Sequence, residues 1–326
     1  QDTEGVDRYY GFHLGDWLAQ DTADPFNLFG ATPTDLIATA YYAYSAQLVA
    51  KAARVLGKAE EAEKYEALHA RVRTAFRKEY MTPGGRVLSE TQTAQVIALH
   101  FGLCEEHERP VIAKHLAERI RADKNLLTTG FVGTPYLCPA LSENGLNEYA
   151  YSLLLSTGRP SWLYAVERGA TTIWERWNGI DENGDFGPVS MNSFNHYAYG
   201  SIAEWMYRYV AGINPVEGAP GFKKARIAPL PNDQLGHAKA TVRTQYGKLS
   251  SGWKYEDGLL TVEVEVPFNA DAEIELPYAD GAAVTENGAP IQGTRFFRGS
   301  GVWKYAYNPQ GYAISRRIIE DDLPSY

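Results

Sequence analysis

The sequence predicts a mainly α-helical protein with a β domain, in which a toroid of paired helices is followed by an antiparallel β-sandwich. Apolar residues recur at helical spacing between residues 33 and about 213. A stretch rich in proline and glycine, residues 214–221, then interrupts the chain. Beyond it apolar and polar residues alternate, as they do in strands with one buried face. We therefore expect an α-helical domain over residues 1–213 and a β domain over residues 214–326.

Eight segments of the first part have the length and periodicity of helices. They share an apolar stripe, and several stop next to a glycine, which favours helix termination. In chain order they are 34–57, 59–76, 91–103, 109–122, 134–141, 146–155, 161–168 and 195–210. Paired helices whose loops carry polar and aromatic residues favour a helical toroid with a central cavity over a simple bundle.

The second part contains strand and hairpin signals. Residues 260–266 alternate Leu or Val with Thr or Glu, and residues 274–277 and 302–305 continue the pattern. Asp257-Gly258 and Asn287-Gly288 are typical of tight hairpin turns. These signals predict a small antiparallel β domain over residues 221 to about 310, with a charged tail from Ala313 onward.

The composition argues against several classes of protein. A net charge of −9 disfavours a nucleic acid or an anionic membrane as partner, and no apolar run approaches a membrane-spanning length. Cys104 and Cys138 lie far apart without metal-ligand spacing, so we expect two buried thiols and no metal site. The motifs of serine hydrolases, zinc proteases and P-loop NTPases are not found, and we expect no cofactor. Aromatic residues make up 13% of the chain, which suits sugar binding but is equally typical of a large core.

Glu175 is the strongest candidate for a catalytic group. It follows Trp174 and precedes Arg176 and Trp177, so indole rings would shield its carboxyl from water while a guanidinium would favour its charge. A carboxylate under such opposed influences can act as general acid or base, although a salt bridge within an aromatic core fits the residues equally well.

Three further loop residues are weaker candidates. Asp16 and Trp17 follow a glycine, where an aspartate is more often a turn or cap residue. His196 precedes a predicted helix, where a capping or core histidine is the more common situation. The loop 129–134 joins polar residues to Phe131 and two glycines.

These segments together resemble the bacterial α-L-rhamnosidase family of inverting glycoside hydrolases. The matching stretches, in the family's order, are 15–18, 129–134, 160–164, 169–177, 190–201 and 220–222. The resemblance spans nearly the whole chain and implies an (α/α)6 barrel followed by a β-sandwich. It implies that terminal α-L-rhamnosyl residues are removed from a glycoside or polysaccharide with inversion. It also implies that Glu175 is the general base, that His196 binds rhamnose, and that Asp16, Trp17 and Trp174 contribute to the substrate pocket.

The resemblance is incomplete at one place. The family's general acid is a glutamate in an Asp-Glu-Arg-type stretch upstream of the Gly-Asp-Trp-Leu block, and the residues before Gly15 contain no such stretch. Asp2, Glu4 and Asp7 lack its context. An inverting mechanism needs two carboxyl groups about 6.5–9.5 Å apart.

The number of helices also falls short of the six pairs of an (α/α)6 barrel, and the chain begins at Gln1 without a signal-peptide pattern. We therefore expect the C-terminal part of a longer enzyme. Its exposed barrel edge is expected to be apolar and to self-associate or to meet a missing N-terminal segment. The alternative is a non-catalytic carbohydrate-binding or assembly fragment that lacks the general acid.

Overall fold

The computed structural model describes residues 13–24 and 27–310, which form two compact units, one up to Ser201 and one from Ile202 onward. Asp2, Glu4, Asp7 and the charged tail from Ala313 lie outside the described residues. Within the described part, no helix combines the length and apolar character needed to cross a membrane. The predicted domain boundary after residue 213 stays a prediction.

The first unit is built from helical hairpins. In the part of this unit that the structure describes, the α-helices are α1 Thr34–Val55, α2 Ala59–Tyr80, α3 Gln92–His100, α4 Arg109–Ala122, α5 Thr134–Glu143, α6 Asn147–Leu155 and α7 Trp162–Glu167. Each corresponds to a predicted helix within a few residues. Three short 3-10 turns, Glu106–Glu108, Val189–Met191 and Ala198–Ser201, lie between or after them.

The helices of this unit show two kinds of burial. In α3, every residue from Gln92 to Leu99 is buried, whereas α2 buries only one stripe that includes Val72 and Phe76. A helix buried all round lies inside a layered structure, and an amphipathic helix covers it from outside. Cys104 and Cys138 lie in this core as free thiols, as predicted, and burial raises the pKa of both thiol groups.

The second unit opens with helical turns and continues as two sheets. It begins with α8 Ile202–Trp205 and a π-helical turn, Met206–Val210. Its strands are β1 Ile213–Pro215, β2 Lys224–Ile227, β3 His237–Thr244, β4 Gly247–Glu256, β5 Leu259–Val266, β6 Asp271–Glu275, β7 Val284–Glu286, β8 Ala289–Ile291, β9 Arg295–Arg298 and β10 Gly301–Tyr307. One sheet has the order β1-β2-β6-β9 and the other β3-β4-β5-β10-β7-β8. All described pairs are antiparallel except β2 with β6, which is parallel.

The hairpin turns and the alternation of β5 confirm the predicted β domain. Asp257 and Gly258 both have positive φ, 52° and 80°, which is the backbone that the tight turn between β4 and β5 requires. On β5, Leu260, Val262, Val264 and Val266 are all buried. The Phe296 ring of β9 stacks on the Tyr305 ring of β10 with centroids 5.2 Å apart, so the two sheets share one core.

The predicted helix 195–210 is wrong in its first part. Residues 192–197 form a loop, and helical turns begin only at Ala198. The reason is that the backbone of this loop bonds elsewhere: the His196 N–H donates to the Ile173 carbonyl at 2.8 Å. The Ala198 N–H then donates to His196 Nδ1 at 3.3 Å, which satisfies one of the free N–H groups of the first turn.

Candidate active site

Glu175 lies where two loop segments pair with each other. Its backbone N–H donates to the Ser193 carbonyl at 2.8 Å, and the Ser193 N–H donates back to Glu175 Oε2 at 2.8 Å. The Thr172 hydroxyl donates to the Phe194 carbonyl in the same pairing. Within residues 13–24 and 27–310, Glu175 Oε1 has no hydrogen-bond partner, and the side chain is half-buried. The carboxylate is therefore held at one oxygen and open at the other.

The tryptophans on either side of Glu175 are core residues. Trp174 packs edge-on against Phe194, with ring centroids 5.1 Å apart. Trp177 stacks on Tyr199 at 3.8 Å, and its indole N–H donates to the Thr129 carbonyl at 3.1 Å. Both indoles are buried, so neither presents an open face. A substrate contact by Trp174 stays a prediction.

Among the described residues, one ring nitrogen of His196, Nε2, has no hydrogen-bond partner. Because its Nδ1 accepts the Ala198 N–H, the proton of the neutral ring lies on Nε2, which can donate to a ligand. The imidazole stacks on the Phe131 ring with centroids 5.1 Å apart and planes 29° apart. Phe131 was not singled out from the sequence, although its loop was.

Asp16 is completely buried and its two oxygens accept four hydrogen bonds. The donors are the N–H groups of Gly130, Val132 and Gly133 and the Thr93 hydroxyl. Burial raises the pKa of this carboxyl, and the four donors oppose that effect. Asp16 thus faces a loop backbone in this structure, and its predicted contact with substrate stays a prediction.

Trp17 lies beside the same loop. It is half-buried, its ring packs edge-on against Phe29 at 5.4 Å, and its carbonyl accepts the Phe131 N–H at 2.9 Å. A Cβ on Gly130 would lie 2.3 Å from that carbonyl oxygen, so only glycine permits the close approach of the two loops. Phe131 thus contacts two of the predicted residues: its backbone N–H donates to the Trp17 carbonyl, and its ring stacks on His196.

Tyr199 joins this cluster to Glu175. It is 1% exposed, and its ring stacks on Trp177 and lies edge-on to Phe131. Burial raises the pKa of the Tyr199 hydroxyl well above its usual range; the charges of Asp16 and Glu175 add to this effect and that of Arg176 opposes it. Asp16 and Glu175 are therefore both close enough to this buried tyrosine for their charges to act on its hydroxyl. Aromatic rings, an open carboxylate oxygen and an imidazole N–H are groups that could bind a polyhydroxylated ring, and here they lie on segments that contact one another.

Comparison with known proteins assigns both parts of the chain to one family. Residues 1–210 match the bacterial alpha-L-rhamnosidase 6 hairpin glycosidase domain, and residues 212–289 match the bacterial alpha-L-rhamnosidase C-terminal domain. An alpha-L-rhamnosidase of Formosa agariphila is 44% identical over 265 residues, which are 81% of this chain and 28% of that protein.

Solved structures agree with this assignment. The Streptomyces avermitilis alpha-L-rhamnosidase, complexed with L-rhamnose, matches with a TM-score of 0.81 and 38% identity over 90% of this chain and 28% of that chain. The Aspergillus terreus enzyme matches with a TM-score of 0.84 and 33% identity over 94% of this chain and 34% of that chain.

Fold and comparisons together define a glycosidase domain of the six-hairpin class with a C-terminal β domain. The chain belongs to the bacterial α-L-rhamnosidase family. It spans between 28% and 34% of the length of the three relatives described above. The predicted family and fold class are confirmed.

Proposed function

We propose that this chain carries the general base and part of the sugar pocket of an inverting α-L-rhamnosidase, with Glu175 as the base. The observation that carries the proposal is the Glu175 carboxylate, which is held at Oε2 by the Ser193 N–H and open at Oε1. The pairing of residues 172–175 with 193–196 also fixes the backbone of His196 on the neighbouring segment.

In this mechanism Glu175 Oε1 takes a proton from a water molecule as the water oxygen attacks the anomeric carbon. The attack comes from the face opposite the glycosidic oxygen, which leaves with its electron pair and receives a proton from a general acid. A single displacement of this kind inverts the configuration at the anomeric carbon. The backbone N–H on Oε2 fixes the direction in which Oε1 points, as the transfer of a proton from a positioned water molecule requires.

The neighbouring residues suit the binding of rhamnose. His196 Nε2–H can donate to a sugar hydroxyl, while the half-buried rings of Phe131 and Trp17 can contact the C–H face and methyl group of the sugar. The rhamnosidase of S. avermitilis was crystallised with L-rhamnose, which supports this substrate class.

The general acid is a separate question. Asp16 lies near Tyr199 but is fully buried with both oxygens occupied, which does not suit proton donation to a glycosidic oxygen. We propose that the acid comes from sequence outside the described residues, in keeping with the share of its relatives that this chain spans. The exposed apolar side of α1 would be covered by a preceding segment of the longer protein, or by a second copy of this chain when that segment is missing.

The test is hydrolysis of an aryl α-L-rhamnoside by the longest natural protein that contains this chain. Glu175→Gln keeps the shape and the hydrogen bond from Ser193 but removes the base, so we expect kcat to fall by about 10³-fold or more. Glu167→Gln, an exposed position at the end of α7, is the matched control and should keep wild-type turnover. Near-normal hydrolysis by Glu175→Gln would refute the assignment of the base.

A second function, carbohydrate binding without hydrolysis, is favoured by one observation. In the described part of the chain, two carboxyl groups act on Tyr199, and of these Glu175 keeps an open oxygen while both oxygens of Asp16 are occupied. An inverting glycosidase needs two accessible carboxyl groups. Assaying this chain alone for rhamnose binding and for aryl rhamnoside hydrolysis separates the two functions. Binding without hydrolysis, in both this chain and the longest natural protein, would establish the second.

A further inference from the structure

Asp16 takes no part in the proposed chemistry, and its contacts indicate a structural role. We propose that Asp16 is a positioning residue: its carboxylate clamps the loop 129–134 and so holds the Phe131 ring against His196. The importance of this for catalysis rests on the proposed function of His196 in sugar binding. The clamp itself is formed by contacts within the protein.

The clamp gathers three backbone N–H groups around one anion. Oδ1 accepts from Val132 at 2.8 Å and Gly133 at 3.1 Å, and Oδ2 accepts from Gly130 at 2.9 Å. The Thr93 hydroxyl of α3 donates to Oδ2 at 2.5 Å. Because Asp16 is 0% exposed, no solvent competes for these donors, and they fix the backbone on both sides of Phe131.

Two further contacts place the loop against residues 15–17. The Phe131 N–H donates to the Trp17 carbonyl at 2.9 Å, so Phe131 is tied at its own backbone as well as at both neighbours. A Cβ on Gly130 would overlap the carbonyl oxygens of Trp17 at 2.3 Å and of Asp16 at 2.6 Å. The two loops therefore meet in direct backbone contact, with the Asp16 side chain across the junction.

Only a carboxylate satisfies all four donors. An asparagine has the same shape, but one of its two terminal atoms is an NH2 group, which would face at least one backbone N–H. Two opposed donors in a site without solvent leave both unsatisfied, and the loop would move to relieve this. Aspartate to asparagine is thus a small change in volume with a large effect on the loop.

The consequence of the clamp is the position of one aromatic ring. Phe131 is half-buried, stacks on His196 at 5.1 Å, and lies edge-on to Tyr199 at 5.2 Å. The same loop supplies the Thr129 carbonyl that accepts the Trp177 indole N–H, two residues from Glu175. Asp16 thereby acts on the site through the loop without touching a sugar.

The direct test is the NMR signal of the His196 imidazole, whose protons are shifted by the ring current of Phe131. The signal is assigned by its loss in His196→Asn, among the seven histidines of the chain. We expect Asp16→Asn and Phe131→Ala to move it in the same direction and by similar amounts, and the double variant to move it no further than either. Amide exchange at residues 130, 132 and 133 should accelerate by at least about tenfold in Asp16→Asn.

The kinetic test uses the same variants with an aryl α-L-rhamnoside. We expect KM to rise by about tenfold in Asp16→Asn and in Phe131→Ala, with a smaller change in kcat and no additive effect in the double variant. Asp280→Asn, an exposed aspartate of the second unit, is the control and should match the wild type. Thr93→Val removes one of the four donors. We expect it to change the His196 signal and KM in the same direction as Asp16→Asn, with effects about threefold smaller.

The outcomes are separable. An unchanged His196 signal and unchanged amide exchange in Asp16→Asn would overturn the clamp, whatever the kinetics. If Asp16→Asn does not fold, Thr93→Val decides by the same two readouts. A wild-type protein that neither binds rhamnose nor hydrolyses a rhamnoside would overturn the proposed function, while the NMR and exchange results would still decide the clamp.

Discussion

Glu108 holds two helical hairpins together through a buried ion pair. Its carboxylate accepts hydrogen bonds from both terminal nitrogens of Arg77 on α2 and, at 2.7 Å, from the backbone N–H of Glu105. The Glu108 side chain is 6% exposed. The hydrogen bonds from Arg77 lower the pKa of Glu108 to about 2. A carboxyl whose pKa is lower in the folded state than in the unfolded state stabilises the fold only while it is charged.

We predict that Glu108→Gln lowers the free energy of unfolding at pH 7 by about 2–3 kcal/mol. The wild-type protein should lose this contribution as pH falls from about 4.5 to about 2, so the difference between wild type and variant should vanish in that window. Denaturant unfolding at several pH values measures it. Glu106→Gln, whose side chain is 95% exposed, should leave stability unchanged; an equal loss in both variants would contradict the assignment.

At the residue scale, the sequence singled out loops that contact one another in the structure, but not all the residues through which they do so. Trp17 and His196 were identified because each lies in a short motif. Phe131 and Tyr199 were missed because their contacts join residues far apart in the chain, as in the stacking of Phe131 on His196 and of Trp177 on Tyr199. The hydrogen bonds to Asp16 also come from residues more than seventy positions away, so the sequence around Asp16 could not reveal its partners.

At the scale of elements, α1 has one side that remains apolar and exposed. Tyr42, Leu48, Val49 and Val55 are 45%, 46%, 42% and 86% exposed. Residues seven apart lie at nearly the same angle around a helix, so Tyr42 and Val49 form one exposed row and Leu48 and Val55 form a second row beside it. Leu56, 69% exposed, continues this stripe just beyond the helix. A contiguous apolar stripe of this size favours association.

We predict that this chain alone self-associates through the α1 stripe. Replacing Val49 and Val55 together with glutamate should convert the protein to a monomer in sedimentation velocity, because the charges would have to be buried in the contact. Val302→Glu, a 48% exposed valine of β10, is the control and should leave the association unchanged. A wild-type chain that sediments as a monomer over the whole concentration range would contradict the prediction.

Regular elements were predictable where local preference and burial agree. The helices α1 to α7 follow their apolar stripes, and the turns at Asp257-Gly258 and Asn287-Gly288 follow from residues that tolerate positive φ. The helix predicted to begin at Asn195 failed because residues 193–196 pair with residues 172–175. Periodicity cannot anticipate a competing partner that is about twenty residues away. The parallel pairing of β2 with β6 was missed for the same reason.

At the scale of the whole molecule, the order of a helical part and a β part was evident from the change in periodicity near residues 214–221. The family models meet between residues 210 and 212. What the sequence alone did not supply is the arrangement around Glu175, since it depends on three loops that come together only in the folded first unit. The position of the proposed base is thus a property of tertiary structure.

The most direct test of the central claim is the configuration of the sugar that is released first. Hydrolysis of an aryl α-L-rhamnoside by the longest natural protein containing this chain can be followed by proton NMR faster than free rhamnose mutarotates. An inverting reaction with Glu175 as base predicts β-L-rhamnose as the first product of the wild type and no detectable product with Glu175→Gln. Initial α-L-rhamnose, or β-L-rhamnose released equally fast by Glu175→Gln, would contradict it.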